Sequence, residues 1–357
     1  MPVTKIRISA RPLLQDVIFS VQFFAALFLI NLPVQTYAGF VRFREAGLSE
    51  MPYFQWLSAS VLDWAVLTVF NIVGVVAVIA LIRRRPQSWG VWATAVYILV
   101  SGTYVLVSPQ FIEPLFNQIT PLAESAEKEA VLSLARANGV PSSDVFVRDA
   151  SRQSVLLNAH VSGFGGAATI VLDDNTTAHT SLDEIEMVMA HEIGHYVLGH
   201  AAKGVIFDGL VMGFGILLVV LGSRRLAASY GARWQVSGLG DIGALPVIWC
   251  LFVLWGYVAL PATNGISRMH EVEADLFGLN ATRHPVAMAE FMIRDSDAGQ
   301  PAHASAETFP RNYLRKLRQV HRWDLQERAI ETRMRELQAC AFDSVFAHGR
   351  SALQSLD

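Results

Sequence analysis

Five apolar stretches decide what kind of solvent this chain folds in: Val17 to Val34, Trp64 to Ile82, Trp89 to Val107, Val205 to Leu221, and Ile242 to Leu260. Each approaches or reaches the roughly 20 residues that a helix needs to cross a ~30 Å hydrocarbon core. Four contain no charged residue, and the fourth in order carries Asp208 near its start. In hydrocarbon a segment must satisfy its own backbone N–H and C=O groups, so helices are expected. Composition agrees. Only 17% of the 357 residues are charged and mean hydropathy is +0.36, whereas soluble chains carry about 25% charge.

The fold expected is therefore a mostly α, polytopic membrane protein with about five transmembrane helices. The first stretch also reads as a signal peptide, with Lys5, Arg7 and Arg11 as its basic flank and Thr36-Tyr37-Ala38 as a cleavage site. Asp16, Gln22 and Asn31 weigh against that. A net charge of -3 offers no bulk attraction to nucleic acid, so the lipid bilayer is the expected partner. Cys250 and Cys340 form no disulfide framework and say nothing of redox compartment.

Between the third and fourth spans, Ser108 to Lys203 reads as water-soluble protein. A helix is expected from Pro121 to Asn138, ended by Gly139-Val140-Pro141. A strand at Asp144 to Arg148 follows, then a hairpin of Ser154 to Val161 with Ala167 to Leu172, joined through Gly163-Phe164-Gly165-Gly166. A further helix opens directly after it on the capping box Ser181-Leu182-Asp183-Glu184. Helical stretches and a basic cluster, Arg311 to Arg335, occupy the C-terminal part. The expected organisation is a three-span membrane region (1–108), the first part of a membrane-associated α+β domain with a small sheet (109–203), two further spans (204–262), and the domain's second part (263–357).

Inside the capped helix lies His191-Glu192-Ile193-Gly194-His195. Residues four apart share a helix face, so both imidazoles project together and can hold a zinc ion. Glu192, one position round, is placed to act as general base on a water there. A catalytic zinc needs three protein ligands and an open position. His200 sits five residues after His195 and turns to another side. Glu271, one turn before Asp275, is the better candidate, with Asp275 hydrogen-bonded to a ligating imidazole. The same letters also suit a solvated acidic face. Two spans separate His195 from Glu271, so both lie on one side of the membrane.

The pairing of His-Glu-Ile-Gly-His with Asn264-x-x-Ser267-Arg268-x-x-Glu271-x-x-Ala274-Asp275 resembles the type I CAAX prenyl proteases, integral-membrane zinc metalloproteases. Phe111 to Leu122 is similar to the family's P-L-F-N-x-x-x-P-L stretch, Asn158 to Gly165 to its N-A-x-x-x-G segment, and Leu32-Pro33 through Gly47-Leu48-Ser49, with Trp56 and Asp63, to a stretch of its membrane half. The resemblance implies a gluzincin-like domain with one Zn2+ on His191, His195 and Glu271, and Glu192 as catalytic base. It implies Asp275 behind a ligand, Asn264 and Arg268 near the substrate or the tetrahedral intermediate, and a peptide bound along Asn158, Ala159 and His160. Substrates would be prenylated or membrane-associated proteins. Two departures stand out: family members have seven spans against five here, and the family's His-Pro segment reads Thr308-Phe309-Pro310, with Arg315 following. Phenylalanine donates no hydrogen bond; His303 and His270 are the nearest substitutes by type.

A multi-pass protein of a bacterial inner membrane is expected. Lys and Arg bias puts the site outside, with Arg83-Arg84-Arg85, Arg224, Arg225 and Arg233 opposite it, whereas the resemblance implies a cytosolic site, so no side is assigned. The competing readings are a site-2-type intramembrane metalloprotease, for which Phe207-Asp208-Gly209 is only a superficial match, and a zinc-binding scaffold or chaperone. A structural zinc has no use for Glu192.

Overall fold

The computed structural model describes residues 12–164, 167–234, 238–288 and 290–291. Lys5, Arg7, Arg11, Gly165-Gly166 and everything from residue 292 on lie outside the described residues. That places His303, Phe309, Pro310, Arg315, Cys340 and the basic cluster at Arg311 to Arg335 outside them too.

Among the described residues, five helices are long and apolar enough to cross a membrane: Pro12–Glu45, Tyr53–Arg84, Trp89–Leu115, His200–Gly222 and Ile242–Thr282. They fall on α1 (Pro12–Gln35), which runs through a π-helical turn into α2 (Arg42–Glu45), then on α3 (Tyr53–Arg84), α4 (Trp89–Val107), α8 (His200–Trp234) and α9 (Leu245–Thr282). The last is the main difference from the sequence expectation. Instead of stopping at Leu260, α9 continues as one helix through Pro261 to Thr282, so the segment carrying Glu271 is the extension of a spanning helix.

The chain divides into two compact units. The membrane unit takes residues up to Ala38, Tyr53–Phe116 and Gly199–Arg268. Its helices meet at small residues: a Cβ on Gly209 would lie 2.4 Å from Ile98, and one on Gly215 would lie 2.3 Å from Trp255. Without a hydrophobic force between helices in lipid, such close packing is what holds them together. Trp255 also donates its indole N–H to the Val211 carbonyl at 3.0 Å. Asp16, awkward in an apolar span, is buried and paired. Arg83 donates to both its carboxylate oxygens, at 2.5 and 2.9 Å, and to the Gly240 carbonyl at 2.8 Å. A buried charge persists only with such a partner.

The second unit takes Gly39–Pro52, Asn117–Leu198 and the residues from Met269 on. It holds a four-stranded sheet in the order β1-β2-β4-β3, made of β1 (Ile119–Pro121), β2 (Val145–Arg148), β3 (Ala159–Phe164) and β4 (Ala167–Asp173). β2 and β4 run parallel; the other pairs are antiparallel. Helices α5 (Ala126–Ala137) and α7 (Leu182–Val197) pack on it through Val131, Ala135, Ile185, Val188, Met189 and Ile193 against Val145, Ala159, Ile170 and Leu172.

Three local expectations change. The helix expected from Pro121 starts at Ala126, because Ser125 caps it, accepting from Lys128 N at 3.3 Å. Pro121 instead ends the edge strand β1, where its missing N–H costs nothing. The hairpin's first strand begins at Ala159 rather than Ser154. The carbonyls of Ser154 and Leu156 are taken by the Asn175 amide at 2.6 and 3.2 Å, and Val155 N donates to Leu48 O, so no ladder forms there. Finally, a short helix, α6 (Asp174–His179), stands between the hairpin and α7.

Candidate metal centre

α7 is fixed before it presents any chemistry. Ser181 and Glu184 close the capping box, with Ser181 N donating to Glu184 Oε2 at 2.7 Å. Ile185, Met189 and Ile193 are fully buried, which sets the helix rotation. His191 and His195 therefore emerge together on another side, their Nε2 atoms 3.0 Å apart. Gly199, at φ +67°, breaks the chain before α8, so His200 starts a different helix.

The third donor comes from α9. Glu271 Oε2 lies 3.4 Å from His191 Nε2, and Oε1 lies 3.8 Å from His195 Nε2. Zinc bonds of about 2.0–2.1 Å in a tetrahedron require donor separations of about 3.3 Å. The three pairs bracket that value, and the ligand atoms all lie within 4.8 Å of one another. The residues present fit a zinc ion. Asp275, buried at 2% exposure, has Oδ1 3.0 Å from His191 Nδ1. That separation suits an Nδ1–H tautomer of His191, which would leave the Nε2 lone pair for a metal.

Two glycines make this meeting of α7 and α9 possible. A Cβ on Gly278 would sit 3.2 Å from the backbone nitrogen of His191, and one on Gly194 would press on the Phe277 ring at 3.1 Å. Ala274, wholly buried, continues the small-residue seam. Sequence reading missed Gly278, although Ala274 and Gly278 recur at helical spacing beside the metal motif. Gly278→Ala is expected to move α9 off α7 by a few tenths of an ångström. Such overpacking costs about 1–3 kcal/mol. Zinc affinity measured by chelator competition should fall while the fold persists; unchanged affinity would show that the close approach does not position Glu271.

Electrostatics separate the roles of these groups. Burial pushes the Glu192 carboxyl up to about 7 against the pull of His191 and His160, with Glu271 adding to the rise. Burial alone would lower His191, but hydrogen bonds to Asp275 and Glu271 and the Glu192 charge reverse this and raise it to about 9. Glu192 is thus pushed toward its neutral form and His191 toward its charged form, opposite shifts of the kind found where protons are exchanged.

The remaining predicted residues fall as follows. Asn264 and Arg268 lie on the same stripe of α9 as Glu271 and Asp275, both exposed, and belong to the membrane unit. Asn158 is bound into the scaffold: its N and O exchange hydrogen bonds with Thr176 Oγ1 at 2.9 and 2.8 Å, and its Oδ1 accepts from Ala159 N. Ala159 is buried in the core, and His160 lies on β3, a sheet edge that packs against α7. At the start of α7, His284 reaches toward Asp183 and Glu186 at 3.8 and 3.6 Å, a second clasp that the sequence did not announce.

Two imidazoles and a carboxylate with a further carboxylate beside them form a donor set of the kind metallopeptidases use. Residues 121–320 match peptidase family M48, and residues 3–118 match a region described as "CAAX prenyl protease N-terminal, five membrane helices". The chain belongs to peptidase family M48. Within residues 12–118 it has three candidate spans where that description names five. An uncharacterized metalloprotease, YhfN of Bacillus subtilis, is 28% identical over 72% of this chain and 60% of its own length. CAAX prenyl protease 1 of Saccharomyces cerevisiae is 31% identical over 70% of this chain and 58% of its own. The chain thus spans about 60% of the length of these relatives. The crystal structure of S. mikatae Ste24p shares the fold, with a TM-score of 0.69 at 24% identity over 83% of this chain and 72% of that one. This is a multi-pass membrane protein of that fold.

Proposed function

We propose that the chain is a membrane-embedded zinc metalloendopeptidase hydrolysing peptide bonds in CAAX-type prenylated or otherwise membrane-associated proteins, in a bacterial inner membrane. The observation that carries this is the donor triangle of His191, His195 and Glu271 with Glu192 beside it. Relatives named for CAAX prenyl proteolysis support the substrate class. α7 is not among the candidate spans, which favours this reading over a site-2-type enzyme.

His191, His195 and Glu271 would hold the zinc ion, which when bound would supply Lewis acidity toward a water and a peptide carbonyl. Glu192 takes the proton of the attacking water and returns it to the leaving amine. Asp275 holds the His191 tautomer. β3 pairs only with β4 among the described residues, which leaves an edge onto which an extended peptide adds as a further strand. Ala159 and Val161 pack into the core, so recognition there runs through the backbone and side-chain selectivity is loose.

A farnesylated CAAX peptide, its plain counterpart and a membrane-inserted peptide, each incubated with the purified protein, test this. Cleavage is expected for membrane-held peptides, to stop on chelation and to return with zinc. Cleavage indifferent to chelator would sink the proposal.

A further inference from the structure

Inside the membrane unit, α3, α4, α8 and α9 line a half-open cavity of about 510 Å³. Its wall follows α3 from Leu67 to Ile82 and α4 from Trp89 to Tyr104. At 1.5 Å per residue each wall is about 22 Å long. A sphere of this volume would be only about 10 Å across, so the cavity is a slot along the helices. It exceeds the ~15 Å depth of one leaflet's hydrocarbon.

The slot is dry by its chemistry. Asn71 and Ser101, two of its few polar members, return their hydrogen bonds to Leu67 O and Tyr97 O of their own helices, at 2.9 and 2.8 Å. The rest of the lining is almost wholly aliphatic or aromatic. A cavity without polar partners does not hold water.

One end of the slot's wall, at Ile82 and Trp89, lies beside the α3–α4 connection, where Arg84 ends α3 and Arg85 follows it. Arg83 is committed to Asp16, but Arg84 and Arg85 are exposed and have no carboxylate partner among the described residues. The Arg85 guanidinium lies 5.9 Å from the Trp92 ring centroid, within cation–π range. An apolar slot with the exposed side chains of Arg84 and Arg85 near one end of its wall matches one kind of bilayer component.

We propose that this slot binds one acyl chain of an anionic phospholipid whose phosphate is held by Arg84 and Arg85. The site is separate from the metal centre and does not depend on the proteolytic reading. Such a lipid fills space between four spanning helices that the chain's own side chains leave open.

Native mass spectrometry of the full-length protein in mild detergent, with equal phosphatidylglycerol and phosphatidylcholine, tests it. One phospholipid adduct per chain is expected, with phosphatidylglycerol favoured roughly thirtyfold by the two arginines. A Cβ on Gly74, in the slot wall, meets nothing within 4 Å. Gly74→Phe should therefore fill the slot and abolish the adduct at unchanged unfolding temperature; Gly74→Leu repeats the test with a smaller side chain. Arg84→Gln with Arg85→Gln should keep the adduct and bring the lipid ratio near one. An adduct that survives both Gly74 variants, or a preference indifferent to the arginines, overturns the proposal. So does displacement of the lipid by a farnesylated peptide, which would assign the slot to a substrate's anchor.

Discussion

Glu192→Gln protein is expected to keep one zinc ion per chain and to hydrolyse peptides about 10²–10⁴ times more slowly. The amide has nearly the shape of the carboxylate, and Glu192 is not among the three donors, so metal stoichiometry by elemental analysis should not move. What the proposed mechanism would lose is its base. The wild-type carboxyl sits near 7 in the metal-free protein because burial penalises its charge. A cation in the site favours that charge, so the acid limb of the pH–rate profile should fall at pH 7 or below. The same group has a stability consequence whose sign is fixed. A carboxyl raised from 4.5 to about 7 on folding binds its proton more tightly in the folded state. It therefore lowers stability progressively from pH 4.5 to 7, by roughly 3 kcal/mol in full. Chelated Glu192→Gln protein should unfold at a higher temperature than chelated wild type at pH 7.5. Zinc-loaded variant that still cleaves at the wild-type rate would remove Glu192 from the reaction.

The parts of this structure legible in the sequence are those where one local pattern decides the outcome. The apolar stretches had to be helices because lipid offers no other partner to the backbone. The capped helix bearing His191 and His195 followed from Ser181, Glu184 and the periodicity of Ile185, Val188 and Met189, and it appears with its box closed. Hidden features depend on groups distant in sequence. Asp16 reads as a defect until Arg83 is seen against it. Ser154 to Val161 has strand composition, but its carbonyls are claimed by Asn175, twenty residues later, through a side chain that no period can reveal. Gly278 looks like an ordinary helix glycine until the His191 backbone is found against it. The continuation of α9 past Leu260 was concealed by the change from apolar to polar letters, which marks where a helix leaves lipid and not where it ends.

That continuation is why Glu271 is the most informative residue to remove. Glu271→Ala deletes a donor lying 3.4 and 3.8 Å from the two imidazoles and leaves the α7–α9 seam at Gly194, Ala274 and Gly278 untouched. The fold should survive and zinc should not. Affinity is expected to fall by more than the roughly 10–100-fold that loss of an outer partner costs, whereas Asp275→Asn, which leaves the donor triangle whole, should fall within that range. Proton linkage adds a second readout. His191 in the metal-free protein is raised to about 9, so below that pH a proton must leave its ring for zinc to bind. Wild-type zinc affinity should thus decline about tenfold per pH unit on acidification from this group alone. In Glu271→Ala one of the carboxylates holding that proton is gone, so the His191 titration, followed by its ring resonances in chelated protein, should move down in pH. Full zinc occupancy in Glu271→Ala would exclude the carboxylate from the metal. An unmoved His191 titration would show that Glu271 does not face the imidazoles at all.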